Sequence, residues 1–302
     1  MRWQIKAYTQ LVLAHLPGGE RINHLLQRAN RRHTSDWYRG RIIGLTSMMA
    51  KYLDVDGKTV VEIGTGWDAI NALMLYWLGA AKVYTYDHVP HARYELISTL
   101  VGQMSSLAEH VASTTSLPAA LLRERAERLA AARDLPALFA AANIAYVAPG
   151  DGARTGLPDR SVDIVYSYAV LEHVPEPVID GITEEAKRIL KPGGIAFHEI
   201  GLQDHYADFD TSISTVNFLR YPEWWWSFLV RNNIQYINRL RAKEHIERFG
   251  RHGARVTVLE SYADSRDLAA LKSMKVDRRF AGMTHEELAV TRLIVSMNFE
   301  SN

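Results

Sequence analysis

The chain has 302 residues, 47% hydrophobic and 23% charged, with a formal net charge of +1 and no cysteine. That length buries one large core with decorations or two small domains, and the near-neutral balance offers no global field for nucleic acid or an acidic membrane. Without cysteine there are no disulfides, thiolate nucleophiles or zinc–thiolate sites, and a reducing compartment suits the chain. The start, Met1-Arg2-Trp3-Gln4-Ile5-Lys6, lacks the apolar stretch and cleavage site of a secretory signal. The longest apolar run, around Ala69 to Ala81, is broken by Asn71 and is too short for a bilayer. No membrane span and a cytoplasmic address are expected.

Residues 1–54 read as helices. Ile5, Tyr8, Leu11, Val12 and His15 share a face, Pro17-Gly18-Gly19 breaks the run, Ile22 to Leu26 resumes it, and another helix covers Trp37 to Tyr52. Arg21, Arg28, Arg31, Arg32, Arg39 and Arg41 make the segment locally basic. It is either a solvated helical face or a cap whose arginines serve an anionic group.

Thr59 to Ile63 is a β-branched run that ends in Glu62, a Gly64-Thr65-Gly66 turn and a helix from Ala69 to Leu78. Strand, glycine turn and helix open a nucleotide-binding βαβ unit, although Gly-x-Gly alone marks many ordinary tight turns. The next strand, Ala81 to Tyr86, ends at Asp87, followed by His88. A carboxylate there accepts both ribose hydroxyls, each charge-assisted bond contributing roughly 1.5–3 kcal/mol.

From Pro90 to Ala142 the pattern is helical and rich in Ala, Leu and Arg. It is too long for one crossover helix and reads as an inserted helical hairpin with i,i+4 charge pairs. Asn143 to Ala148 is the third strand, followed by Pro149-Gly150-Asp151-Gly152. Residues 162–168 form the fourth strand, ending in Tyr166-Ser167-Tyr168, and lead into Leu171-Glu172-His173-Val174. A helix over Ile182 to Leu190, a Lys191-Pro192-Gly193-Gly194 loop and a fifth strand from Ile195 to Leu202 follow. Arg255 to Glu260 and Arg292 to Phe299 are the last two strands.

Three motifs in this order, Glu62-x-Gly64-x-Gly66, Leu171-Glu172-His173-Val174 and Lys191-Pro192-Gly193-Gly194, resemble the class I S-adenosylmethionine (SAM)-dependent methyltransferases over roughly residues 56–202. Asp68 stands where the family has a third glycine. The resemblance implies a Rossmann-like, seven-stranded, mostly parallel sheet with helices on both faces, its last strand antiparallel at the sheet edge. Residues 1–54 would be a helical N-terminal cap and 55–302 the SAM-binding catalytic domain, with a helical insertion at about 90–142 and an aromatic lid at about 203–253. It also implies SAM as cofactor, held by Glu62, Gly64, Thr65, Gly66, Asp87, His88, Asp151, Gly152, Ser167 and Tyr168, with Asp151 facing adenine. Asp151 is otherwise an ordinary Gly-Asp-Gly turn residue.

Tyr84, Tyr86, Tyr146, Tyr166 and Tyr168 lie on core strands, where an aromatic face stabilises a sulfonium. Tyr168 is the first candidate among them. Histidines are the candidate proton acceptors, His205 first, then His198 and His173. Metal binding is the rival reading of His198 to His205, but the spacing matches no standard ligand motif and no metal is expected. Trp224-Trp225-Trp226 cannot all face one core, since helical neighbours stand about 100° apart. An Asn238-Arg239-Leu240-Arg241 helix is expected to follow.

The expected function is biosynthetic methyl transfer to an oxygen or nitrogen of a small molecule, because the fourth strand lacks the Asn/Asp-Pro-Pro-Tyr pattern of amide and base methylation. Nucleic acid is not the expected partner, and the oligomeric state is not legible. One rival keeps SAM but attacks its aminocarboxypropyl chain, releasing methylthioadenosine. A nicotinamide dehydrogenase and a non-catalytic SAM-binding module are the others.

Overall fold

The computed structural model describes residues 2–19, 33–232 and 234–299. The expected helix from Ile22 to Leu26, with Arg21, Arg28, Arg31 and Arg32, lies outside them. The chain divides into two compact units, one mainly Arg31–Tyr168 with Glu184–Ala196, the other Met1–Asn30, Ala169–Thr183 and Phe197–Glu300.

In chain order the helices and strands are α1 (Trp3–Ala14), α2 (Ser35–Tyr52), β1 (Thr59–Ile63), α3 (Ile70–Trp77), β2 (Lys82–Tyr86), α4 (Tyr94–Thr114), α5 (Ala119–Ala130) and α6 (Leu135–Ala141). After them come β3 (Ile144–Val147), β4 (Val162–Tyr168), α7 (Glu176–Ile189), β5 (Leu190–Gly201), α8 (Glu223–Val230), α9 (Ala242–Arg251), β6 (Ala254–Ala263), α10 (Ser265–Ser273), α11 (His285–Ala289) and β7 (Val290–Phe299). The strands form one open seven-stranded sheet in the order β3-β2-β1-β4-β5-β7-β6. β1 runs parallel to β2 and β4, and β2 parallel to β3, whereas β6 and β7 pair antiparallel. This is the Rossmann-like α/β methyltransferase fold.

One strand expectation needs correcting. The antiparallel last strand, β7, is not at the edge; it lies between β5 and β6, and β6 forms the rim. Burial follows that placement. β7 is mostly buried along its length, while β6 exposes Val258 and Tyr262. A second correction concerns Lys191-Pro192-Gly193-Gly194. The strand starts at Leu190, so these residues open β5 instead of forming a separate loop, with Gly193 at φ +78°.

In the Arg31–Tyr168 unit every residue of α3 is buried, as a helix apolar all round requires. The insertion after β2 holds three helices, α4, α5 and α6. The Trp77 indole donates to the Leu122 carbonyl at 2.7 Å and Arg125 to the Trp77 carbonyl at 2.9 Å, fastening α5 to α3. Arg128 and Glu124 make the expected i,i+4 pair at 2.8 Å.

In the other unit the aromatic stretch after β5 builds its own core. Trp3 packs on Tyr206 and Tyr221, with ring centroids 5.5 and 5.3 Å away. Its backbone N–H donates to Asp210 at 2.8 Å, and Tyr206 donates to Gln10 at 3.0 Å. The three tryptophans diverge as helical geometry demands: Trp226 is buried, Trp225 half-buried and Trp224 72% exposed. The expected Asn238–Arg241 helix does not form, because Asn238 offers the backbone other bonds. Its side chain accepts the Leu240 N–H at 3.0 Å and donates to the carbonyls of Leu171 and Val174, and Arg239 adopts φ +60°. Helix α9 starts only at Ala242.

Candidate active site

In the Arg31–Tyr168 unit the register of β1 on β2 sets Glu62 opposite Thr85. The Thr85 hydroxyl donates to Glu62 Oε2 at 2.5 Å, and the Thr65 hydroxyl meets that of Thr85 at 2.6 Å. With Thr85's proton given to Glu62, Thr65 is the donor of the second bond. Between them the chain turns through Gly64 (φ +88°) and Gly66 (φ +67°), a left-handed region that glycine enters without steric cost. The Gly64 N–H donates to the Tyr86 carbonyl at 2.8 Å, and the Gly66 N–H to Asp87 Oδ2 at 2.9 Å. Asp87, its side chain 9% exposed, thus braces the turn as well as ending β2.

Glu62 is buried, and Oε1 has no hydrogen-bond partner among the described residues. Desolvation pushes its carboxyl up to about 8, against the hydrogen bond from Thr85. A carboxyl whose native value is raised favours the folded state while protonated. That contribution is fully present below the unfolded value of 4.5 and is lost as pH rises through about 8. From pH 6 to 8 the ligand-free protein should lose stability with a slope of up to about 1.4 kcal/mol per pH unit from this group. Denaturant melts should find the slope flattened in Glu62→Gln, and an identical slope would remove Glu62 as its source.

The remaining expected cofactor residues are placed as follows. His88 is exposed, its ring nitrogen 3.3 Å from Asp87. Asp151 is exposed and accepts the Ala153 N–H at 2.9 Å, while Gly152 lies against the Ile63 side chain. The Gly150 N–H donates to the Asp87 carbonyl at 2.8 Å, so the turns after β2 and β3 are joined. Asp68, in place of a third glycine, accepts the Ile70 N–H at 3.2 Å and caps α3, with Ala69 left-handed at φ +47°. Ser167 is buried at the end of β4. Tyr168 carries the Arg41 guanidinium 5.2 Å from its ring centre. With Asp36, Trp37 and Leu45 these two line a groove of about 400 Å³. Two other strand tyrosines bond within the scaffold: Tyr166 is buried and donates to Asn71, and Tyr86 donates to the Thr155 carbonyl.

The three histidines all fall in the other unit. His198 is buried, stacked on Phe249 at 5.9 Å, and burial lowers its value to about 4. His173 and His205 are half-buried and adjacent, ring centroids 4.9 Å apart. The His173 Nδ1 bonds the Tyr236 carbonyl at 2.8 Å, and burial lowers its pKa. Asp204, beside His205, turns to the backbone. Its carboxylate accepts the Tyr206 N–H at 2.9 Å and the Asn217 amide at 3.4 Å, capping the short 3-10 turn that begins at His205.

Sequence reasoning missed Thr85, whose role follows only from strand register, and Glu172. Glu172 was read as part of a motif and not as a site residue. It is buried beside His173 and His205, and desolvation pushes its carboxyl up to about 8.

Strand order and a braced glycine turn between two acids define a class I, nucleotide-binding methyltransferase fold. A family model described as a methyltransferase domain matches residues 101–198. The chain accordingly carries a methyltransferase domain, for which SAM is the cofactor. No curated protein matches it. Among solved structures it is similar to a complex of the Haloferax volcanii Trm112 methyltransferase activator with a methyltransferase, at 19% identity over 89% of this chain and 94% of that one, TM-score 0.46. It is also similar to the YcgJ protein of Bacillus subtilis (14%, 87% and 100%, TM-score 0.45) and to a SAM-dependent methyltransferase of Mesorhizobium loti (15%, 87% and 97%, TM-score 0.44). No helix among the described residues is long and apolar enough to cross a membrane.

Proposed function

We propose that the enzyme methylates an oxygen or nitrogen of a small molecule. The groove lined by Trp37, Arg41 and Tyr168 carries this reading, since about 400 Å³ suits a small organic molecule. Arg41 supplies a fixed positive charge there, which favours a substrate with an anionic group. In the cofactor, the ribose hydroxyls fall to Asp87 and the adenine to the Asp151 turn. The buried, unpartnered Oε1 of Glu62 fits a donor brought by the ligand, such as the SAM ammonium. The sulfonium is already activated, so the protein's task is to hold the nucleophile in line about 3–3.5 Å from the methyl carbon and to take up its proton. That last role is assigned to the pair His173 and His205, His205 first.

Incubation with SAM and a panel of small carboxylated alcohols, phenols and amines, followed by mass analysis, tests the reading. The expected products are a substrate carrying a methyl group in place of one hydrogen, heavier by CH2, and S-adenosylhomocysteine. Methylthioadenosine in its place would transfer the reading to the aminocarboxypropyl chain. His205→Ala should lower turnover at least about tenfold while SAM affinity stays within twofold; equal loss of both would make His205 a scaffold residue.

A further inference from the structure

We propose that Glu172, His173 and His205 bind a divalent transition-metal cation of the zinc class. One ligand atom from each lies within 4.8 Å of the other two. Bonds of about 2.0–2.2 Å from one ion set neighbouring ligands roughly 3–3.5 Å apart, so small side-chain rotations close the site. Two imidazoles and a carboxylate, with no thiolate, are a donor set suited to zinc, cobalt or manganese ions.

Glu172 supplies an independent observation. It is 2% exposed, yet neither carboxylate oxygen hydrogen-bonds any described residue. The N–H groups of Glu172 itself and Gly201 lie close enough to ease the charge but not in bonding geometry. A buried carboxylate without partners is costly, and a cation supplies what is missing.

The orientation of His173 agrees. His173 Nδ1 is held by the Tyr236 carbonyl at 2.8 Å, so the proton sits on Nδ1 and the lone pair on Nε2. That is the outer-shell arrangement of a metal-ligating imidazole. Gly201, at the end of β5, keeps the cluster open. A Cβ there would stand 2.6 Å from Glu172 Oε1 and 3.7 Å from His205 Nε2. Spacing along the chain hid the site, because two ligands come from the turn after β4 and the third from the loop after β5.

Binding stands apart from the methyl-transfer reading; only the chemistry that the ion would serve rests on it. An alcohol oxygen on the ion would give up its proton to water at lower pH, the task assigned above to the His173 and His205 pair.

The test uses the full chain, stripped with chelator, and Zn²⁺ or Co²⁺ as the only added probe, without substrate. Calorimetry should find one Zn²⁺ per chain, and Co²⁺ should give visible absorption bands of a low-coordinate site. Glu172→Gln and His205→Ala should each weaken Zn²⁺ binding at least about tenfold and change the Co²⁺ bands. SAM affinity serves as the folding control for both variants. If the buried Glu172 variant fails it, the half-buried His205 variant carries the test. No Zn²⁺ uptake by the parent chain, or uptake and bands unaltered in a folded variant, would overturn the proposal. Methyl transfer without any zinc uptake would sink the cation site alone and leave the proposed function standing.

Discussion

Asp87→Ala is expected to weaken SAM binding at least tenfold, and up to about a hundredfold. Two losses act together. A carboxylate offers about four acceptor positions, of which the N–H groups of Gly66 and Val89 take two, at 2.9 and 3.3 Å. In the proposed pose the ribose diol would also donate to this carboxylate, each charge-assisted bond contributing roughly 1.5–3 kcal/mol. Removing the side chain also frees the Gly66 N–H, so the turn loses the brace that holds its backbone in the binding shape. Asp87→Asn keeps an acceptor for Gly66 and gives up the charge, and should fall between the two. Titration calorimetry checks this, and an unaltered dissociation constant in Asp87→Ala would remove Asp87 from the cofactor site.

The second large effect concerns stability. Arg241→Leu should destabilise the fold by about 3–5 kcal/mol, lowering the melting temperature by on the order of 10 °C. The guanidinium is fully buried and donates to the Leu202 carbonyl at 2.6 Å, the Leu288 carbonyl at 3.0 Å and the Val290 carbonyl. Burial lowers its pKa to about 10, so it stays charged at neutral pH. Leucine fills part of the volume and leaves three carbonyls without donors, each costing about 1–3 kcal/mol. A thermal melt within 2 °C of the parent would mean that those carbonyls find water or other donors.

Arg241 also marks where sequence reasoning stops. Asn-Arg-Leu-Arg has the polarity of an exposed helix, and nothing local says that both arginines turn inward to staple loop carbonyls. Arg239 does the same, donating to the carbonyls of Phe218 and Tyr221 at 2.8 and 2.6 Å. The strands around the glycine turn were legible because their signals are local: a β-branched run, glycines with positive φ, an acid closing the next strand. β4 was read to the residue, 162–168. The position of β7 was not, since strand order depends on crossovers that periodicity does not encode. The hydrogen-bonded turn of Glu62, Asp87 and the glycines could be named from the chain. Of the Glu172, His173 and His205 cluster only the two histidines could be named, and not their grouping, because two separate loops build it.

The rim strand β6 has a further consequence, for behaviour at high concentration. One side of its backbone lacks a neighbouring strand, which in a flat, apolar strand would recruit another chain. Here the pairing with β7 slips twice, between Val258 and Glu260 and between Tyr262 and Ala263. Each irregularity kinks the ribbon and increases its coil. Arg255 and Glu260 add charge along the same strand, and Arg292 on β7 reaches Glu260 at 3.3 Å. A second copy therefore meets a bent, charged border in place of a straight template.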